Sequence, residues 1–142
     1  PLCPSLWTSY FYLQHCRCQL ALYRIHPDPS LLRMSQRALN FMLARDGMSI
    51  IGGVGQSECW TDDQDGSGNH SETCATVYQL QFLSDIFCFT GNPRCGDLME
   101  RIIYNALWAA QSPDGRLIRY YTPVEGKQSY FRFYALQCSP QS

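Results

Sequence analysis

The chain has 142 residues, 45% of them hydrophobic and 13% aromatic, about one domain's length with enough apolar material for a core. Eleven Lys and Arg stand against 12 Asp and Glu, a formal net charge of −1 with no long run of either sign. That balance argues against a nucleic-acid or anionic-membrane partner, both of which need a basic stripe, and the apolar runs fall far short of the ~18 residues of a transmembrane helix.

Residues 7 to about 25, WTSYFYLQHCRCQLALYRI, read as a first helix, with Tyr10, Leu13, Arg17, Leu20 and Ala21 at spacings of three and four. HPDPS breaks it. Asp28 then suits an N-cap and Pro29 a first helical residue. A second helix runs to about Arg45 with Leu31, Met34, Ala38 and Met42 on one face, and Asp46-Gly47 ends it. Residues 47–70 read as a glycine-rich loop in which 49–51 form a short strand. A third helix starts near Thr73 and runs to about Phe89, with Val77, Leu80, Leu83 and Phe87 inward. TGNP breaks it. A fourth spans Pro93 to Ala110, burying Leu98, Ile102, Ala106 and Ala109. After the SPDG turn signal, RLIRYYTPVEG and SYFRFYAL read as strands.

Residues 22–43 can be laid over 86–107. Pro29 falls on Pro93, Met34 on Leu98, Arg37 on Arg101 and Ala38 on Ile102. Each segment is a helix end, a proline-containing break and a new helix. Such self-similarity suggests stacked helical hairpins, as in a solenoid or a closed α/α toroid. A toroid needs more hairpins than these, so residues 1–142 are expected to be a single segment of a longer protein. The start at Pro1 without an initiator Met and the polar end CSPQS agree. No signal-peptide pattern is visible, so a cytoplasmic location is expected.

Eight cysteines (Cys3, Cys16, Cys18, Cys59, Cys74, Cys88, Cys95 and Cys138) would allow four disulfides. Disulfide scaffolds are small and loop-rich, whereas this chain has long helical patterns, so mostly reduced thiols are expected.

The stretch SECWTDDQDGSGNHSETCAT, residues 57–76, is too polar to build a core. Glu72 and Cys74 stand two apart. On a helix such residues point to nearly opposite sides, and in extended chain they share a face. To bind one ion, residues 72–74 must therefore be extended just ahead of the third helix, capped by Ser71 or Thr73. A helix N-terminus favours a thiolate there, and thiolate plus carboxylate suits zinc, which takes four ligands or three and an open position. Taken alone, E-x-C reads more often as a capping Glu beside a buried Cys. Glu58 follows GGVGQS, whose glycines permit close backbone approach to a ligand. Two carboxylates at one sugar ring are the usual equipment of a glycosidase. Asp62, Asp63 and Asp65 lack the EF-hand spacing and read as loop anchors. Asn69-His70-Ser71 is a glycosylation sequon, and His70, beside Glu72, is a candidate further ligand, though a lone loop His is usually solvated.

GGVGQSECWTDDQD, ETCA and MERIIYNALWAAQSPDGRLIRYYTPVE together resemble glycoside hydrolase family 127, the β-L-arabinofuranosidase family and its relatives. Its pattern is roughly G-G-x-G, a Glu, T-x-D-Y-D, E-T-C-A, a helix with M-E-R-x-x-Y-N, a D-G turn and Y-x-N-P-L-E. The resemblance implies a mainly α fold, helical hairpins of a partial (α/α)6 barrel of the six-hairpin glycosidase type, with a short β-segment near the C-terminus. It implies an arabinofuranoside-type glycan as substrate and zinc as cofactor. Glu58 matches the general acid/base, Glu72 and Cys74 two zinc ligands, and Tyr120 a tyrosine lining the sugar site. The family then carries adjacent cysteines, C-C-P, one a zinc-bound thiolate that attacks the anomeric carbon with overall retention, the other a further ligand. This chain reads LQCSP there, so Cys138 matches either the nucleophile or the ligand, and Gln137 takes the other place. The family's substrate-binding histidines in the first helix have no clear counterpart, though Gln14 and His15 lie near one such position. The rival readings are a non-catalytic helical-toroid relative that binds glycan or is purely structural, favoured by Gln137, and a disulfide-stabilised interaction domain.

Overall fold

A computed structural model describes residues 8–44, 47–60 and 70–125. Its elements are helices α1 (Ser9–Ile25), α2 (Pro29–Leu43), α3 (Thr73–Thr90) and α4 (Pro93–Ile102), a π-helical turn (Ile103–Leu107) and a last helical turn, α5 (Trp108–Ala110). The fold is mainly α, in two antiparallel hairpins, as the sequence implies.

Both hairpins turn by the same local chemistry. Asp28 accepts a hydrogen bond from the Ser30 amide at 2.8 Å, and Pro29 opens α2. Asn92 accepts from the Arg94 amide at 3.1 Å, and Pro93 opens α4. Each cap satisfies an amide that has no partner within its helix, and each proline occupies a position where a missing N–H costs nothing. Gly91, at φ 60°, ends α3 with its amide on the Phe87 carbonyl, the left-handed C-terminal stop that glycine adopts without a Cβ clash. The internal sequence similarity is thus a repeated helix–cap–proline device.

Helix α1 packs on α2 and α3, and α3 on α4. The core lies between them: Leu13, Cys16 and Leu20 from α1, Ala38, Leu39 and Met42 from α2, Phe82, Leu83 and Ile86 from α3, and Cys95, Leu98 and Ile102 from α4. Each fully buried Leu, Ile or Phe contributes about 1.5–3 kcal/mol relative to exposure. Arg17 of α1 fastens the inner pair. Its Nε lies 2.8 Å from the Asp85 carboxylate of α3, and its guanidinium also donates to Gln14 and Gln81.

Several expectations about faces and strands need correction. In α3 the buried face is Ala75, Gln79, Phe82, Leu83 and Ile86. Val77 and Leu80 are half-buried and Phe87 is exposed. This helix is apolar nearly all round, so periodicity alone does not pick the side its neighbours cover. In α1, Cys16 is buried where Arg17 was expected, and Ala21 is exposed. In the last helical run Ala110, not Ala109, is buried. The π-helical turn inserts an extra residue and advances the buried position by one. Residues 49–51 form a turn, with Gly52 N–H on the Ser49 carbonyl at 2.8 Å, and not a strand. The 116–125 segment forms no strand either. Among the described residues it makes only isolated bridges, Gln111 to Ile118 and Glu72 to Tyr121, because its partners are a turn and a helix N-terminus. SYFRFYAL lies outside the described residues.

Cys16, Cys18, Cys88 and Cys95 are free thiols. Cys16 is fully buried and desolvation pushes its thiol up to about 12, whereas Cys18 and Cys88 are exposed. Native protein treated with iodoacetamide at pH 8 is expected to be alkylated at Cys18 and Cys88 and spared at Cys16 until unfolded; peptide mass mapping reads this. Asn92→Ala is expected to lower stability by about 1 kcal/mol through loss of the cap, seen as a reduced urea midpoint, with Asn92→Asp restoring it.

Candidate active site

The N-termini of α1 and α3 meet the loop that joins the hairpins. Gln56 and Cys59 exchange both backbone hydrogen bonds, at 2.9 and 3.0 Å, across a two-residue turn made by Ser57 and Glu58. Both central residues are left-handed, at φ 49° and 67°. Neither is glycine, so each costs about 1–2 kcal/mol. Bonds from outside the turn offset that cost. The Glu58 amide donates to Glu72 Oε1 at 2.7 Å, and the Glu58 carbonyl accepts from the Ser9 amide at the start of α1 at 2.8 Å. Strain held in place by neighbouring structure is common where a side chain must be aimed.

Glu72 sits at the N-cap of α3, yet its side chain caps nothing in that helix. It is fully buried, with Oε1 on Glu58 and Oε2 without a hydrogen-bond partner among the described residues. Burial pushes its carboxyl above the usual carboxylate range. The Glu58 amide opposes the rise, and the Glu58 charge adds to it. The chain is extended at Glu72 (φ −58°, ψ 126°) but helical from Thr73, so Cys74 already lies in the first turn of α3. The expectation of extended chain through all of 72–74 is therefore corrected: only Glu72 is extended. The Tyr121 phenol is raised first by desolvation, then by the negative charges of Glu72, Cys74 and Glu58.

The segment 119–122 closes the site. Thr73 donates its amide to the Tyr120 carbonyl at 2.8 Å and its hydroxyl to the Arg119 carbonyl at 2.6 Å, and the Thr122 amide reaches the His70 carbonyl at 3.0 Å. This brings the Tyr120 hydroxyl to 3.7 Å from the buried Cys74 sulfur, with the Tyr121 ring edge-on to Tyr120 at 4.7 Å. His70, expected in solvent, is buried with 1% exposure. The glycines allow close approach within the protein. A Cβ on Gly53 would stand 2.5 Å from Ser71, and one on Gly55, at φ 88°, 3.0 Å from Glu72 Oε2.

Four of the five sequence-predicted site residues, Glu58, Glu72, Cys74 and Tyr120, are thus brought into one neighbourhood. Cys138 lies outside the described residues, as do Asp62, Asp63, Asp65 and Asn69. Gln14 and His15 lie on α1, where Gln14 accepts from Arg17 and His15 meets Gln19. Sequence reasoning missed Tyr121 and Ser9. Tyr121 carried a signal, as it follows Tyr120 on the strand-like stretch. The Ser9 amide, a backbone group, carried none.

The description of the β-L-arabinofuranosidase GH127 catalytic domain matches residues 14–140. The chain belongs to this family. In fold it is similar to the crystal structure of Ara127N-Se, a GH127 β-L-arabinofuranosidase from Geobacillus stearothermophilus T6, at 25% identity and a TM-score of 0.72, over 84% of this chain and 20% of that one. The chain therefore spans about a fifth of that protein's length. No curated protein matches significantly.

The start of α3 carries a carboxylate and a thiol, two donor types that a metal ion can take. A buried carboxylate with an unpartnered oxygen calls for a proton or a cation, and a neighbouring thiol suits zinc among cations. Among the described residues no three His, Cys, Asp or Glu form a metal-holding group. Glu72 and Cys74 are two donors of the type zinc takes, short of the three or four that a site needs. In metal-free protein the raised carboxyl of Glu72 has a definite sign. The folded state holds the proton more tightly than the unfolded state, so stability falls as pH rises from the ordinary carboxylate value of 4.5 through the folded one. Glu72→Gln, measured by urea unfolding in a chelator, is expected to flatten that slope and to gain on wild type between pH 4.5 and neutrality. An equal slope in both would overturn the assignment.

Proposed function

We propose that the full-length protein is a retaining glycoside hydrolase acting on arabinofuranoside-type glycans, with this site as its centre. The observation that carries the reading is the clamped turn: Glu58 is left-handed and held through its backbone by Glu72 and Ser9, and Glu72 starts the helix turn whose Cys74 meets Tyr120. In this reading Glu58 is the general acid. It protonates the glycosidic oxygen as the bond from that oxygen to the anomeric carbon breaks. The Cys138 sulfur forms the new bond to that carbon and gives a glycosyl thioether. Water then attacks the same carbon, Glu58 takes its proton, and the thiolate leaves, so configuration is retained. Tyr120 lines the sugar site. Glu72 and Cys74 would hold zinc, which when bound keeps a cysteine sulfur as thiolate at neutral pH.

A second reading rests on Gln137. Where the family has paired cysteines this chain has one, and a protein whose Cys138 serves only as a ligand would keep the fold and bind glycan without turning it over.

Hydrolysis of an aryl β-L-arabinofuranoside by the full-length protein separates the two. The enzyme reading expects Glu58→Gln to lose about 10²–10⁴-fold in kcat, with a smaller loss for substrates whose leaving group needs no proton. It also expects about one zinc per chain by elemental analysis, absent in Cys74→Ser. Zinc and glycan binding without turnover would establish the second reading instead.

A further inference from the structure

We propose that Glu72 is a positioning residue that couples metal loading to the aim of Glu58. One carboxylate oxygen holds the acid's turn while the other takes the cation, so that each event stabilises the other. The coupling rests on the reading above that a zinc-type cation binds Glu72 and Cys74.

Two independent observations point to a divided carboxylate. Oε1 is committed, 2.7 Å from the Glu58 amide. Oε2 is buried and has no hydrogen-bond partner among the described residues, and the space beside it is kept by Gly55, whose added Cβ would stand 3.0 Å away. The carboxylate is planar and its oxygens move together. A cation on Oε2 therefore fixes where Oε1 stands, and the Glu58 amide on Oε1 fixes where Oε2 stands. The turn makes this matter. Ser57 and Glu58 are both held left-handed, a conformation that non-glycine residues leave when their clamps weaken. Its clamps are the Gln56–Cys59 pair, the Ser9 amide on the Glu58 carbonyl, and Glu72. Of these, Glu72 alone reaches a candidate metal ligand, because it is one.

Coupling between two events is reciprocal. A change that alters the turn's conformational preference without touching a donor atom must alter zinc affinity. Ser57 is exposed and supplies only its backbone conformation. Ser57→Val, with a β-branched side chain that resists positive φ, is expected to weaken zinc binding about tenfold. Ser57→Gly, free to adopt φ 49°, is expected to bind at least as tightly as wild type.

The experiment uses the full-length protein stripped by chelator and titrated with Zn²⁺ alone. Affinity is read by chelator competition, and amide exchange of the peptide spanning Gln56–Trp60 is read by mass spectrometry. Slowed exchange on zinc addition in wild type, with the Val and Gly variants ordered as stated, supports the coupling. Equal affinities in wild type, Ser57→Val and Ser57→Gly, or exchange at 56–60 indifferent to zinc, overturn it while leaving the metal site standing, provided Cys74→Ser abolishes binding. If Ser57→Val fails to fold, the wild-type exchange at 56–60 decides, and Ser57→Gly binding more weakly than wild type would also overturn the coupling. A wild-type protein that takes up no zinc overturns the metal reading and the coupling with it.

Discussion

A buried carboxylate organises this molecule. Glu72 has no exposed surface, and the groups around it are arranged to make that tolerable. The Glu58 amide reaches one oxygen, the Gly55 carbonyl accepts from the Glu72 backbone amide at 3.3 Å, and the 119–122 segment is bonded across the start of α3. Leaving a buried charge unpaired is among the most expensive things a fold can do. Loop, helix N-terminus and tail therefore converge on the residue rather than avoid it. The helices supply the rigidity. Both α1 and α3 begin at the site, and the Arg17–Asp85 pair joins them farther along their length.

Strain and close contact gather at the same place. Ser57, Glu58 and Ser71 are the non-glycine residues with positive φ among the described residues, and all three flank Glu72 in space or sequence. Gly53 lies where only a hydrogen fits beside Ser71. Trp60, two residues after Glu58, packs edge-on against Phe41 at 5.4 Å and Tyr12 at 6.2 Å, and so anchors the far side of the turn to α2 and α1. The turn is held at both ends by the hairpins it joins.

The outer surface has a different character. Leu22, Ile25, Tyr104 and Trp108 are exposed, the last two as an edge-on pair at 4.6 Å. Apolar surface of this kind is what a helical hairpin offers to a neighbour in a stacked array. It accords with a chain that covers about a fifth of the related arabinofuranosidase structure.

The hairpin architecture was legible in the sequence because its determinants are local. Asp28-Pro29 and Asn92-Pro93 start helices, Gly91 stops one, and no distant residue is needed to read them. The candidate site residues Glu58, Glu72, Cys74 and Tyr120 were legible as a set through the family resemblance, since taken alone Glu72 and Cys74 read as a cap beside a buried Cys and Glu58 as a loop carboxylate. The buried side of α3 was not, since a helix apolar all round leaves its orientation to its neighbours. Nor was the shift from Ala109 to Ala110, which follows from a π-helical turn set by packing. What tertiary structure alone decided is the bond from the Glu58 amide to Glu72 and the left-handed turn it holds. Ser-Glu has no intrinsic preference for that conformation. It exists because a buried carboxylate, brought close by the packing of α1 against α3, needs the amide that the turn supplies.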